Sequence, residues 1–509
     1  MGIKRYFATQ DNTITNAFKP NLLNRATGSN MGASDILEAF VIHGQTSASV
    51  NSETAEQSRI LLQFDINEVL NDVANGVIPS SSVDFRLKMY NSPHANTTPL
   101  SYSLDVIMLT QSWAEGQGLD MESYTDNGVC NWVSASNNTF WGSDPANPTT
   151  AITGGYFETG ANASASFFFS GGVEDLDVDV TFAVDRWRSS GSAYNNGFIL
   201  KHTDEVIAGA LGTYFTKRFF GRNSEFHFKR PVLEARWDSS RKDNRGNFIV
   251  SSSLADGTDN LNTLFLYNNV RGQLKNIPGL IDNQLLVKVY SGSATSPGTQ
   301  SVLIIDASNN AEHHLTGGIL IENGIEVSGV YTCSFATTSS NDYLYDVWHT
   351  ASAVGNITEF FTGSYEPTTL KALELIYDDE YITDITNLKS SYIKGQKPRL
   401  RVFPRKKNWN PNIYTVATAE VVPEIIEDAY YRLHREVDNL EVVPFGTGSG
   451  VKNYTRMSYD VSGSYFELDT SMLDPGYTYK LQFVYYLQGQ YRQQPEEFKT
   501  KKATQSTST

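Results

Sequence analysis

The acidic residues near turns are the first places to look for chemistry in this chain. Glu115 lies in Thr110-Gln-Ser-Trp-Ala-Glu-Gly116, beside a glycine at a corner. There it could act as an acid, but an acidic residue at such a corner more often holds the turn as a hydrogen-bond acceptor. Asp175, Asp177 and Asp179 alternate along the chain and would share one face of a strand. Calcium would relieve their repulsion; a solvated sheet edge accounts for them without an ion. Glycoside hydrolysis needs two carboxylates about 5–10 Å apart across a cleft, which spacing along the chain does not supply. Gly-Xaa-Ser-Xaa-Gly, His-Glu-Xaa-Xaa-His and Walker patterns do not occur. His313 and His314 are adjacent, and on a strand their rings would point to opposite faces, so both read as surface residues and not as metal ligands. Cys130 and Cys333 are far apart with no Cys-Xaa-Xaa-Cys spacing and read as free buried thiols. No catalytic, metal or cofactor-binding residue is assigned, and the chain is expected to be non-enzymatic.

Two other groups are candidates for recognition. Trp113 and Trp132, with Tyr90 and Tyr102, could form a sugar-stacking platform. The competing role, shared by Trp141 and Trp187, is core or corner packing with each indole N–H bonded to backbone. Between residues 397 and 407 lies a basic cluster that includes Arg399, Arg401, Arg405, Lys406 and Lys407. It would either dock an acidic partner through charge complementarity or protect an edge strand against unwanted pairing.

These residues must be positioned by strands. Aromatics are 12% of the 509 residues, with Tyr and Phe at 27 each, and only 19% are charged, a mixture suited to buried sheet faces under a polar surface. The net charge of −16, without a long basic stripe, argues against tight nucleic-acid binding. The N-terminus lacks the apolar run of a signal peptide, and no apolar stretch approaches the ~20 residues of a bilayer span. Synthesis in the cytoplasm without a leader is therefore expected. Apolar–polar alternation at 83–90, 101–109, 285–290, 399–403 and 479–486 predicts strands. Two short helices are predicted, over 66–74 after Asp65 and over 180–188 after Asp179. The expected fold is all-β: three β-sandwich-like modules in tandem at 1–237, 238–366 and 367–502, then a mobile tail at 503–509. The module boundaries fall in polar, turn-rich stretches at 238–246 and 363–367.

The first module carries a distinctive series of landmarks. Arg59-Ile-Leu-Leu-Gln-Phe-Asp65 is followed by the Trp113-Ala-Glu-Gly116 corner, Gly128-Val-Cys-Asn-Trp132 and Trp141. Residues 178–181, Trp187, 196–201 and 230–233 then follow. In this order they resemble the DNRLRE-type domain, a β-sandwich related to carbohydrate-binding modules. Residues 13–18 and 25–35, and in the third module 385–392, 409–416, 457–463, 465–469 and 473–477, resemble virion proteins of tailed phages, notably those of marine cyanobacteria. The resemblance implies a structural protein of the virion, in the tail, neck or a fibre-associated position, acting by subunit assembly. Its expected partners are other virion proteins and copies of itself in a symmetric array. Alternatives are a capsid decoration protein and a receptor-recognition protein that grips host surface glycan.

Overall fold

The structure, a computed structural model, describes residues 2–19, 23–47, 50–95, 97, 100–119, 129–144, 147–191, 194–203, 205, 214–252, 254–350, 357–368, 380–407, 413, 423–447 and 453–502. Gly128, the tail at 503–509 and, apart from Ile413, the 409–416 segment lie outside the described residues. The chain is mostly strand with few short helices, the all-β class that its alternation predicts. It divides into two compact units, Ile3–Trp237 and essentially Asp238–Thr509.

The first unit contains β1 (Ile3–Phe7), β2 (Gln10–Thr15), β3 (Ile36–Ser47), β4 (Val50–Gln63), β5 (Asp84–Met89) and β6 (Tyr102–Met108). It continues with β7 (Ser164–Phe169), β8 (Leu176–Asp179), β9 (Phe198–His202), β10 (Tyr214–Phe220) and β11 (Val232–Arg236). One sheet runs β1-β11-β5-β8; the larger runs β7-β6-β9-β4-β3-β10, with β2 also paired to β4. Period-two alternation turns Phe85, Leu87 and Met89 of β5 and Leu104, Val106 and Met108 of β6 into one core with Ile60, Leu62, Phe198 and Leu233. Each such side chain removed from water contributes roughly 1.5–3 kcal/mol.

Three strands of the larger sheet carry an unbroken apolar segment: Ile60-Leu-Leu62, Val106-Ile-Met108 and Phe198-Ile-Leu200. Such runs need cover on both faces. The middle residues Leu61, Ile107 and Ile199 pack in a second cluster with Ile14, Leu109, Trp113, Cys130, Trp132 and Trp141. The corner segment therefore forms a lid on the outer face of the sheet. Helix α1 (Ile66–Ala74) starts as expected at Asp65, whose carboxylate accepts the Asn67 N–H at 2.9 Å. Helix α2 (Thr181–Ser190) begins one residue late; Asp179 accepts the Thr181 N–H at 2.9 Å, and Ala183, Val184 and Trp187 are buried.

The second unit opens with β12 (Asn262–Tyr267), β13 (Gln284–Ser293), β14 (Leu315–Glu322), β15 (Ile325–Phe335), β16 (Tyr343–His349) and β17 (Glu359–Tyr365), paired in the order β12-β15-β14-β13-β16-β17. Leu264, Val287, Tyr331, Phe335, Leu344 and Trp348 form its core. There follow β18 (Tyr381–Ile385), β19 (Arg399–Lys406), β20 (Ala429–Arg435), β21 (Ser458–Asp460), β22 (Gly463–Glu467), β23 (Thr478–Leu487) and β24 (Phe498–Lys502). They pair as β18-β19-β22-β21 and β24-β23-β20.

The 238–246 stretch, expected as a module boundary, begins where the two units divide and packs within the second. Tyr459 N–H donates to Arg241 O and Asp243 N–H to Tyr459 O, both at 3.0 Å. Arg245 reaches the other way, donating from Nε to buried Asp346 at 3.0 Å. Hydrogen bonds to both sides join the sheets before and after residue 366 into one compact unit.

Candidate functional site

The four aromatics proposed for sugar stacking are all interior. Trp113, Trp132, Tyr90 and Tyr102 are each at most 7% exposed, so none offers a face to a saccharide. The lid explains the first two: the apolar outer face of the sheet demands cover, and large indoles supply it. Trp113 Nε1–H donates to Asn196 O at 3.0 Å, and Trp141 Nε1–H to Asn131 O at 2.9 Å. Trp187 packs on Phe198 with ring centroids 4.8 Å apart. Tyr102 lies against Phe169 and Phe215, and Tyr90 beneath the Lys88 ammonium.

Beneath the lid is a buried charge cluster. Arg59, on β4, forms two parallel bonds to Glu205, Nε–Oε1 at 2.7 Å and Nη2–Oε2 at 2.6 Å. Its third donor pair reaches Gly154 O at 2.5 Å, and the guanidinium stacks over Trp132 and Phe157. Every face of the cation is satisfied, and the aromatic contacts add cation–π attraction. Gly154 has φ +76°, and a Cβ there would fall 2.7 Å from Arg59 Nη1, so only glycine brings its carbonyl this close. The cluster is a clamp, not an open reactive centre.

Glu115 has the turn-holding role. It accepts the Asp11 N–H at 3.0 Å and forms a bidentate pair with Arg222 at 2.8 and 2.9 Å. Arg222 N–H donates to Asp11 Oδ2. Burial, with Glu115 nearby, pushes the Asp11 carboxyl up to about 7 against the pull of Arg222. A raised acid beside a second carboxylate has the composition of a hydrolytic pair, yet Asp11 is wholly buried. No substrate reaches it without unfolding the corner.

The three alternating aspartates separate in role. Asp177 pairs with Arg86 at 2.5 Å and Arg236 at 3.1 Å, Asp175 accepts the Asn91 N–H, and Asp179 accepts the Thr181 N–H before α2. Asp175 and Asp179 are exposed at the two ends of β8, which ends its sheet, so the solvated edge describes these two, while Asp177 is held by arginines. The same sheet face holds Glu234, fully buried between Arg5 and Arg236 at 2.7 and 2.5 Å. Burial works against its ionised form, but Arg5 and then Arg236 outweigh that and hold the carboxyl far below its usual range. Among the described residues, no group of three or more His, Cys, Asp or Glu is gathered as metal ligands would be. His313 is exposed and shares a 2.9 Å hydrogen bond with Ser301. Cys130 and Cys333 are buried, and burial raises both thiols, Cys333 to about 12, so neither is a ready nucleophile.

The basic stretch is only partly central. β19 pairs with β22 through Arg399–Val402 and with β18 through Val402–Lys406. Arg399 pairs with Glu467 at 3.1 Å, Arg401 with Asp460 at 2.7 Å, and Lys407 with Glu380. The acids arrive from strands that follow or precede it, so much of the charge is met within the sheet. Arg405 and Lys406 are half-buried on the same strand.

What remains open is sheet edge and apolar surface. Among the described strands β7 pairs only with β6 and β17 only with β16. Phe168 on β7 is 63% exposed, and Leu100 and Val173, where the β6 and β7 chains leave the sheet at one end, are exposed too. On β17 Phe360 and Phe361 are exposed. Two open polar depressions in the second unit, one lined in part by Ser293, Ser340 and Asp342, the other by Ser252, Asp256 and Asn309, contain a single carboxylate each. Neither presents the paired acids of a glycosidase. No described helix is long and apolar enough to cross a membrane.

No family model matches the chain, and no curated protein matches it. Solved structures align weakly. The trypsin-activated alpha-2-macroglobulin of Escherichia coli aligns at 7% identity over 89% of this chain and 23% of its own, TM-score 0.15. A Salmonella alpha-2-macroglobulin variant aligns at 9% identity over 92% and 26%, TM-score 0.15. The BSP domain of a biofilm associated protein aligns at 7% identity over 98% and 91%, TM-score 0.17. The chain thus spans about a quarter of the alpha-2-macroglobulin chains it aligns with, and these scores are too low to define a shared fold.

Proposed function

We propose that this protein is a non-enzymatic structural component of a tailed-phage virion, in the tail, neck or a fibre-associated position, that acts by subunit assembly. The observation that carries the assembly reading is the pair of open sheet edges, β7 and β17, each bearing exposed phenylalanine. A free edge presents unpaired N–H and C=O groups to a neighbouring strand, and isolated proteins normally blunt such edges with charge or proline. Here β7 is Ser164-Ala-Ser-Phe-Phe-Phe169, with neither. A permanent interface would bury on the order of 1,600 Å² or more, and closed rotational symmetry is the usual outcome for copies of one chain. The phage placement rests on the segment resemblances in the first unit and the C-terminal third. Decoration of a capsid would use the same edges.

The edges give the test. Phe168→Asp and Phe360→Asp place a charge on each edge at exposed side chains. They are expected to reduce incorporation into particles at least tenfold while leaving the melting curve of the purified chain unchanged. Equal incorporation of both variants and the unmodified chain would remove the edges from the assembly mechanism.

A further inference from the structure

Lys217 breaks the pattern of its strand. Within β10, Tyr214-Phe-Thr-Lys-Arg-Phe-Phe220, the residues Phe215, Lys217 and Phe219 fall on the inward face. Phe215 and Phe219 belong to the sandwich core, and Lys217 is itself 1% exposed. An ammonium group there has lost its water and must find acceptors in the protein. It has three: Asn91 Oδ1 at 2.7 Å, Glu174 O at 2.7 Å and Gly172 O at 3.0 Å. The faces of Phe169 and Phe219 lie 4.5 and 5.2 Å from Nζ.

Anchoring a loop would need only the carbonyls. The carboxamide is the unusual member, because an amine held on a carboxamide oxygen in an apolar pocket is next to a group it can attack. Asn91 directly follows Tyr90 at the end of the β5 segment and bridges to Phe219 of β10, so it is fixed from its own backbone. Its N–H is held by Asp175 Oδ1 at 2.7 Å. A carboxylate also stands by: Glu174 Oε1 accepts from Ser170 Oγ at 2.7 Å and Gly171 N–H at 2.6 Å, while Oε2 is buried without a hydrogen-bond partner.

We propose that Lys217 and Asn91 condense into an intramolecular isopeptide bond that staples the two sheets of the first unit. The lysine ammonium gives one proton to solvent, and the neutral amine attacks Asn91 Cγ to form the new C–N bond. The second Nζ proton passes to Nδ2, the Cγ–Nδ2 bond breaks, and Nδ2 leaves as ammonia. The sum is an ammonium side chain plus a carboxamide giving a secondary amide plus an ammonium ion. No oxidant, reductant or cofactor enters. Burial favours the first step: it lowers the Lys217 ammonium to about 8, against the opposing pull of Glu174 and Asp175, so neutral amine is accessible near neutral pH. Fixed contact between the reactants replaces an improbable encounter. The product would join residues 126 positions apart, from the end of β5 in the smaller sheet to edge strand β10 in the larger.

The test is intact-mass spectrometry of the purified full-length chain, unfolded, followed by peptide sequencing. The expected mass is lighter than the sequence requires by one ammonia, about 17 Da, with a branched peptide joining Lys217 to Asn91. Lys217→Arg, which keeps the charge but cannot form the amide, is expected at its full sequence mass. A wild-type chain at full mass with the two residues on separate peptides would overturn the proposal. So would an ammonia loss that persists in Lys217→Arg, since it would then arise elsewhere.

Discussion

Arg59 and Glu205, 146 residues apart, meet in a buried bidentate pair whose cation also lies over the rings of Trp132 and Phe157. The pair ties strand β4 to the segment after β9, and through Gly154 O it fixes the lid. Removing one partner leaves the other as an uncompensated charge, so Arg59→Ala is expected to destabilise the first unit by about 3–5 kcal/mol. Replacing both partners by apolar residues of similar size is expected to cost less than either single change. Denaturant unfolding of the two single variants and the double variant would show this as strong coupling; additive losses would mean that the pair is not a unit.

Stability should depend on pH through Asp11. Its folded carboxyl is pushed up to about 7 from an ordinary 3.8. Between those values the folded state keeps a proton that the unfolded chain has lost, so stability from this group falls as pH rises through that window. His349 and His434, whose folded values are lowered mainly by burial, act in the opposite direction up to their ordinary range. Asp11→Asn isolates the carboxylate term, since the amide still accepts the Arg222 N–H. The variant should gain stability relative to the unmodified chain as pH climbs from about 4 to about 7. A constant difference across that range would show that Asp11 titrates normally.

The buried aromatics make a sharp contrast between packing and recognition. Trp113→Ala and Trp132→Ala should each cost about 3–5 kcal/mol as cavities open under the lid. Phenylalanine at either position should leave any profile on a glycan array unchanged. A selective loss of glycan signal in a phenylalanine variant that melts normally would restore the stacking role.

The basic strand should be indifferent to particle assembly. Because Arg399, Arg401 and Lys407 are matched by acids and Arg405 and Lys406 are half-buried on a strand laddered to β18, reversing Arg405 and Lys406 to Glu is expected to shift stability by about 1 kcal/mol. Incorporation into particles should be retained. Loss of incorporation by a folded double variant would make this strand a docking surface.

How much of this was legible in the sequence depends on how far apart the partners lie. Asp65 announces α1 because cap and helix are neighbours, and the alternation of 83–90 reports its own strand. Uninterrupted runs such as Ile60-Leu-Leu62 hold a further message, cover on both faces, which identifies the Trp113 and Trp132 corner as a lid. The status of β19 was not legible, since its partner β22 lies some sixty residues onward and only pairing distinguishes a central strand from an edge. Glu205 gives no local sign of Arg59. Lys217 was hidden for another reason: in Thr216-Lys-Arg218 it reads as surface, and only the inward phase set by Phe215 and Phe219 places it in the core.

The most direct test of the assembly account is a cryo-EM reconstruction of the particle that carries this chain. The account predicts density for both units, repeated by symmetry on tail, neck or capsid, with the β7 or β17 edge against a neighbouring subunit. Absence of the chain from every particle would contradict the virion role, and its presence with both edges facing solvent would contradict the mechanism.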